Sequence, residues 1–164
     1  YEDDKREGYD FCIRIVGMEN INTFVLKDIS DEEIAPKISS HTAPIIVNAS
    51  AFNKSHNYLT LQMYIMRSDQ EIFKHSVILV YNKERQGTFK DIYQSNTNVD
   101  SYLWLELYHD SDTDYETEPQ ELRSTCKIDV ESLGIKNISE YQGINIIYKD
   151  WNANGATKIH TIPL

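Results

Sequence analysis

The sequence predicts an all-β domain, an antiparallel two-sheet β-sandwich of about eight short strands. Three observations lead there. Apolar residues alternate with polar ones in several separate runs, the period-two pattern of a half-buried strand. Stretches rich in Asn, Asp, Ser and Gly separate those runs at fairly regular intervals, which marks turns. No segment sustains a helical period over several turns.

Taken in order, Phe11, Ile13 and Ile15 alternate with Cys12, Arg14 and Val16 and predict a first strand ending at Gly17. Thr23 to Leu26 is a shorter apolar piece that extends or re-enters the sheet. Ser30-Asp31-Glu32-Glu33 has the Ser-x-x-Glu spacing of a capping box, in which two side chains satisfy each other's backbone donors. Pro36 stops any helix soon after it, so 27–43 reads as an irregular connection with one turn. Pro44-Ile45-Ile46-Val47 and the alternating Leu59, Leu61, Met63 and Ile65 predict two strands, joined by a turn from Asn53 to Asn57. Val77 to Tyr81 lacks a polar face and suits a strand covered on both sides. Asn82 to Gly87 is turn-like, while Phe89, Ile92 and Tyr93 fit an irregular strand or one helical turn equally well.

Leu103, Leu105 and Leu107 then face one way and Tyr102, Trp104, Glu106 and Tyr108 the other. An acidic loop follows, and Cys126, Ile128 and Val130 resume the alternation beyond it. After a turn at Leu133-Gly134, Ile144, Ile146 and Tyr148 form a strand whose hairpin partner is Lys158 to Ile162, across the broad turn Asp150 to Gly155.

A chain of 164 residues suits one domain spanning 1–164 and can bury a core without staples. The abrupt start at Tyr1 and the end at Leu164 suggest a domain cut from a longer protein. No apolar run reaches the roughly 18 residues that cross a bilayer, and the opening YEDDKREGYD is unlike a signal peptide. The net charge of -10 opposes nucleic-acid binding, because a phosphate backbone is held by clustered Lys and Arg. Cys12 and Cys126 fit one long-range disulfide or two buried thiols, and the spacing favours neither. Asn48, Asn53 and Asn137 head N-x-S sequons, which would matter in a secreted protein.

Charge is unevenly placed. Asp100 to Glu121 holds eight acidic residues and no Lys or Arg. In Asp110-Ser111-Asp112-Thr113-Asp114-Tyr115-Glu116 a carboxylate recurs at every second position, so a curving loop can aim Asp110, Asp112, Asp114 and Glu116 at one cation. Ca²⁺ takes oxygen ligands of this kind. The alternative is a solvated acidic turn that keeps strand edges apart. An EF-hand is excluded, since Tyr115 stands where that loop needs Gly and Pro119 follows.

The run LELYHDSDTD with its acidic loop and the following STCKIDVESL resembles the late part of a C2 domain. Phe11 to Val16 with Gly17-Met18-Glu19-Asn20 resembles the first C2 strand and its loop, and NYLTLQMYIMR at Asn57 to Arg67 the second, particularly in the lipid-kinase type. The resemblance implies that Asp110 and Asp112 are the paired calcium-loop aspartates, with Asp114 or Glu116 as a further ligand. The family's other ligand-bearing loop would have only Asp28 and Asp31 to offer, a departure that leaves metal-free binding open.

Lys74, Lys83, Arg85 and Lys90 are the candidate patch for anionic phospholipid or a partner protein, or else ordinary solvated strand residues. Tyr102, Trp104 and Tyr108 share one strand face and suit an interface or an inter-sheet core equally. No hydrolase, P-loop, zinc-protease or dinucleotide motif occurs. The five histidines lack metal-ligand spacing, and His109 beside Asp110 reads as a surface residue or as an acid–base or ligand pair.

The expected function is therefore a non-catalytic binding module. It would engage a protein partner or an anionic membrane through loops at one end, with or without Ca²⁺, in a cytoplasmic and membrane-peripheral setting. The alternative is a secreted or surface-displayed sandwich used for adhesion or partner recognition.

Overall fold

The computed structural model describes residues 22–32, 34–35, 43–66, 75–86, 101–111, 118–135 and 137–164. Among these are nine strands: β1 (Asn22–Val25), β2 (Lys27–Asp28), β3 (Ile45–Asn53), β4 (Tyr58–Met66), β5 (Ser76–Tyr81), β6 (Tyr102–Asp110), β7 (Pro119–Lys127), β8 (Gly143–Asp150) and β9 (Ala156–Pro163). The strand expected at Phe11 to Val16 and the segment around Phe89 to Tyr93 lie outside the described residues.

The strands form one hydrogen-bonded sheet in the order β1-β7-β4-β3-β8-β6-β5-β2, with β9 paired to β8. Its two outer members, β1 and β2, are separated in the chain by Leu26 alone. The Leu26 amide donates to the Lys127 carbonyl (2.9 Å), and the Ile29 amide to the Tyr81 carbonyl (2.7 Å). One short strap thus ties the two edges of the sheet together, and the sheet curls into a near-barrel. Leu26 is 1% exposed and belongs to the central core.

The all-β expectation holds, but the purely antiparallel arrangement does not. β3–β4, β4–β7, β5–β6 and β8–β9 pair antiparallel, whereas β1–β7, β2–β5, β3–β8 and β6–β8 pair parallel. The β3–β8 pairing rests on one residue pair, Ile45 with Asp150. Below that pair a side-chain contact, Ser50 Oγ to His160 Nε2 at 2.8 Å, joins β3 to β9.

The core is filled by the inward residues of the alternating strands, including Leu59, Leu61, Met63, Leu103, Leu105, Ile144 and Ile146. Each such side chain stabilises the fold by about 1.5–3 kcal/mol when fully buried. β3 extends well past the predicted Pro44–Val47 because a bulge between Val47 and Ala49 shifts the register by one residue. That shift restores Ser50 and Phe52 to the inner face opposite Leu61 and Leu59, and a bulge hides this from a period-two reading. Likewise β7 begins at Pro119, earlier than its apolar residues suggest, because β4 pairs with it along its whole length, β1 joining only from Ser124. The acidic connection is shorter than expected as a result.

A second cluster, Trp104 with Ile147 and the half-buried Tyr102 and Ile159, lies on the opposite face of the sheet. Tyr102 packs on Gly143, where a Cβ would come within 2.7 Å of the Ile162 carbonyl and 2.9 Å of the Tyr102 ring. Where β5 ends, the Gln86 side chain takes the place of a strand: its Oε1 accepts from the Trp104 amide (3.1 Å) and its Nε2 donates to the Trp104 carbonyl (2.9 Å). Glu33, the far member of the expected capping box, lies outside the described residues, and Ser30 bonds to Asp28. Its carboxylate accepts from the Ser30 amide and hydroxyl and from the Lys83 amide. Partial burial pulls the Asp28 carboxyl upward, but these hydrogen bonds outweigh it and hold it below its ordinary value.

Candidate functional site

The registers place two loop-bearing ends on the barrel. One end carries Pro44, His75, Asp110, Pro119 and Asp150; the other carries the β3–β4 turn, Lys83, the loop after β7 and the chain's last residues.

At the first end, Asp110 closes β6 opposite Ser76 and is half-buried, while Asp112, Asp114 and Glu116 lie outside the described residues. Glu121 pairs with Arg123 Nε at 2.8 Å. Among the described residues no group of three or more His, Cys, Asp or Glu could hold a metal ion. The two aspartates the C2 comparison drew on elsewhere have other bonds: Asp28 takes Ser30 and Lys83, and Asp31 lies 3.4 Å from Lys27 Nζ.

His109 is not a surface residue: it is 1% exposed. Its Nδ1 faces the Pro44 carbonyl (3.3 Å) and its Nε2 faces His75 Nδ1 (2.9 Å). With Nδ1–H donating to Pro44, the His109 Nε2 lone pair accepts from His75. Burial is the main reason that His109 is pushed down to about 4; the neighbouring His75 adds to this, and the Pro44 bond and Asp110 oppose it. The Ala43 amide also donates to the His109 carbonyl at 2.7 Å, so His109 anchors the lead-in to β3. Nearby, Lys158 Nζ pairs with the buried Asp150 at 2.9 Å, and that carboxylate raises the Lys158 value.

Of the expected basic patch, Lys74 and Lys90 lie outside the described residues. Arg85 Nη1 reaches Glu106 Oε2 at 3.0 Å, and Asn82 Nδ2 reaches Glu106 Oε1 at 3.0 Å. The Tyr108 hydroxyl donates to the same carboxylate at 2.5 Å. Glu106, an outward polar position by alternation, is only 4% exposed. Burial, then the Glu106 bond and charge, hold the Tyr108 phenol well above its ordinary range. Arg85 is thus tied into a buried network, and Lys83 stays exposed on a short 3₁₀ turn, Lys83–Arg85. Cys126 is a free, buried thiol pushed up to about 12 by its burial, which keeps it unreactive. Cys12 lies outside the described residues.

At the second end is a half-open hollow of about 190 Å³. Phe52, Val130, Ile138 and Leu164 supply its apolar lining, and Lys54, Asn57, Asn137 and Ser139 its polar lining. The walls are fixed by backbone bonds. The Ile128 amide donates to the Asn57 carbonyl (2.8 Å) and the Leu164 amide to the Gln142 carbonyl (3.1 Å). Asn57 takes a left-handed conformation, φ 55°, which Asn tolerates better than most residues. Asn137 Oδ1 accepts from the Ser139 amide (3.0 Å) and hydroxyl (2.8 Å). Sequence reasoning missed this site, because the β3–β4 turn, the 130–139 loop and the chain's end meet only in space.

Together these features define an all-β sandwich-type domain whose exposed chemistry lies in loops at the two ends of a curled sheet. The chain belongs to the family described as NigD-like C-terminal beta sandwich domain, which it matches over residues 27–162. Similar solved structures include a NigD-like immunity protein from Bacteroides caccae, at 15% identity and a TM-score of 0.58, with 87% of this chain and 60% of that one covered. Another is a putative toxin-related protein from Parabacteroides distasonis (11% identity, TM-score 0.54, 88% and 61% covered). A third is a protein of unknown function from Bacteroides vulgatus (15% identity, TM-score 0.53, 88% and 56% covered). At these identities the likeness concerns the fold alone, and the chain spans less than two thirds of each neighbour. No curated protein matches the chain.

The family match corrects the C2 resemblance. Alternating strands beside an acidic loop occur in many sandwiches, and the pattern that suggested C2 is local, whereas this sheet's strap and parallel pairings are not. The grounds for assigning Asp110 and Asp112 as C2 calcium ligands go with it.

Proposed function

We propose that the chain is a non-catalytic module that binds a partner protein through the loops at the ends of its barrel, in the manner of an immunity or toxin-related protein. The observation that carries this is the family match over residues 27–162, joined to a structural neighbour named as a NigD-like immunity protein. The charge of -10 supports a protein partner over nucleic acid. Neither Ca²⁺ nor a lipid surface is needed for this reading. The secreted or surface-displayed alternative shares its central element, a sandwich used for recognition, and differs in where the module works.

The experiment is a protection assay paired with a binding assay. Cells producing the chain are expected to survive a protein toxin that kills cells lacking it, and the purified chain to co-elute with that toxin on size exclusion. Absence of both protection and complex across the toxins of competing strains would overturn the proposal. So would turnover of a substrate that is lost on substituting a single side chain.

A further inference from the structure

The hollow at the second end differs from the other polar clusters described above in that some of its polar side chains have no partner among the described residues. Lys54 forms no ion pair or side-chain hydrogen bond among the described residues, although the chain is strongly acidic. Asn137 has its Oδ1 occupied by Ser139, so its Nδ2 hydrogens are what remains to offer. The Asn57 side chain likewise has no partner among the described residues. These three groups line the same space as the apolar side chains of Phe52, Val130 and Ile138. A cavity of roughly 150 Å³ lined by apolar side chains admits benzene, so about 190 Å³ accommodates a phenyl or branched alkyl group.

An apolar pocket with a few polar groups placed to fix orientation is the usual form of a small-ligand site. Its walls are preorganised by the bonds from Ile128 and Leu164 and by the Asn137–Ser139 turn, so little ordering is lost on binding. We infer that this hollow binds a small carboxylate carrying one phenyl or branched alkyl group, with the apolar group inside and the carboxylate met by Lys54, Asn57 and Asn137. The charge sign follows from Lys54, the charged side chain among the described residues that line the hollow, and the single apolar group follows from the volume. The site stands independently of the partner-binding proposal.

Phenylacetate and 4-methylpentanoate are the probes, titrated by NMR into the full chain, with phenylacetamide and benzylamine as neutral and cationic controls. Saturable binding of the acids is expected, at least tenfold tighter than the controls, with shifts centred on Phe52, Asn57 and Ile138. Lys54→Met should weaken the acids about tenfold and leave phenylacetamide unchanged, and Val130→Trp should abolish binding of both. Unchanged backbone spectra away from the hollow establish that each variant is folded. Titration of a short peptide ending in Phe, free or amidated, separates the sources of the carboxylate: a preference for the free-ended peptide marks a chain terminus, and binding of the small acids alone marks a metabolite. No saturable binding by any acid, or equal affinity in Lys54→Met, would overturn the inference.

Discussion

The two ends of the barrel differ in how fully their polar groups are paired. At the end bearing Pro44 and Asp110, polar side chains are turned on one another or on the backbone: His75 on His109, His109 on the Pro44 carbonyl, Lys158 on the buried Asp150. At the other end some polar groups are paired, Asp28 with Ser30 and Lys83 and Asn137 with Ser139, but the Lys54 and Asn57 side chains beside the apolar hollow have no partner among the described residues. Satisfied polar groups fix a structure, while unsatisfied ones at the edge of an apolar space invite a ligand.

Four measurements test that contrast. The largest effect is expected at the strap, because Leu26 both fills the core and sits between the two ladders that close the sheet. Leu26→Ala should cost about 2–5 kcal/mol in urea unfolding; a loss under about 1 kcal/mol would show that the strap does not hold the barrel.

Next comes acid. The folded value of His109, about 4, lies below its ordinary 6.5, so the folded protein holds that proton less well than the unfolded chain. The stability from this group is complete above pH 6.5 and lost as pH falls towards 4, on the order of 3 kcal/mol in full. Carboxylates titrate in part of the same window, so the test is the difference between the parent and His109→Gln. The variant should show a shallower fall between pH 6.5 and 4.5, and equal slopes would remove His109 from the acid response.

A smaller effect is expected in the β3–β4 turn. Asn57→Ala should cost about 1 kcal/mol, because alanine tolerates a left-handed conformation poorly, while Asn57→Gly should be neutral or better. If both variants were equally destabilised, the amide side chain and not the backbone would be responsible. The smallest effect belongs to Lys54→Met, which should leave thermal stability within about 0.5 kcal/mol of the parent. A larger loss would mean that Lys54 is structural, and the contrast between the ends would weaken.

Much of the fold was legible locally. The alternation in Leu59 to Ile65, Leu103 to Leu107 and Ile144 to Tyr148 placed β4, β6 and β8, and the turn at Asp150 to Gly155 placed the β8–β9 hairpin. Less was legible where strands carry little apolar pattern. PQELRSTCK becomes β7 through its pairing with β4 along its whole length, β1 joining only from Ser124, and the Val47/Ala49 bulge resets the phase of β3. For the candidate sites the gap is wider. Arg85 looked like surface charge until Glu106 proved to be buried beneath it, and His109 looked exposed until Pro44 and His75 closed over it.

By itself the sequence determined the secondary structure of the strongly alternating strands, because side-chain direction in a strand repeats every two residues and so leaves a local record of what is buried. It also determined the charge sign that disfavours nucleic acid. Only the tertiary structure decided that the sheet closes through Leu26, that four pairings run parallel, that Glu106 and His109 are buried, and that Phe52, Lys54, Asn137 and Leu164 share one hollow. Those outcomes depend on contacts between residues far apart in the chain, and the register of such contacts is set by the summed packing of the whole core rather than by any one segment.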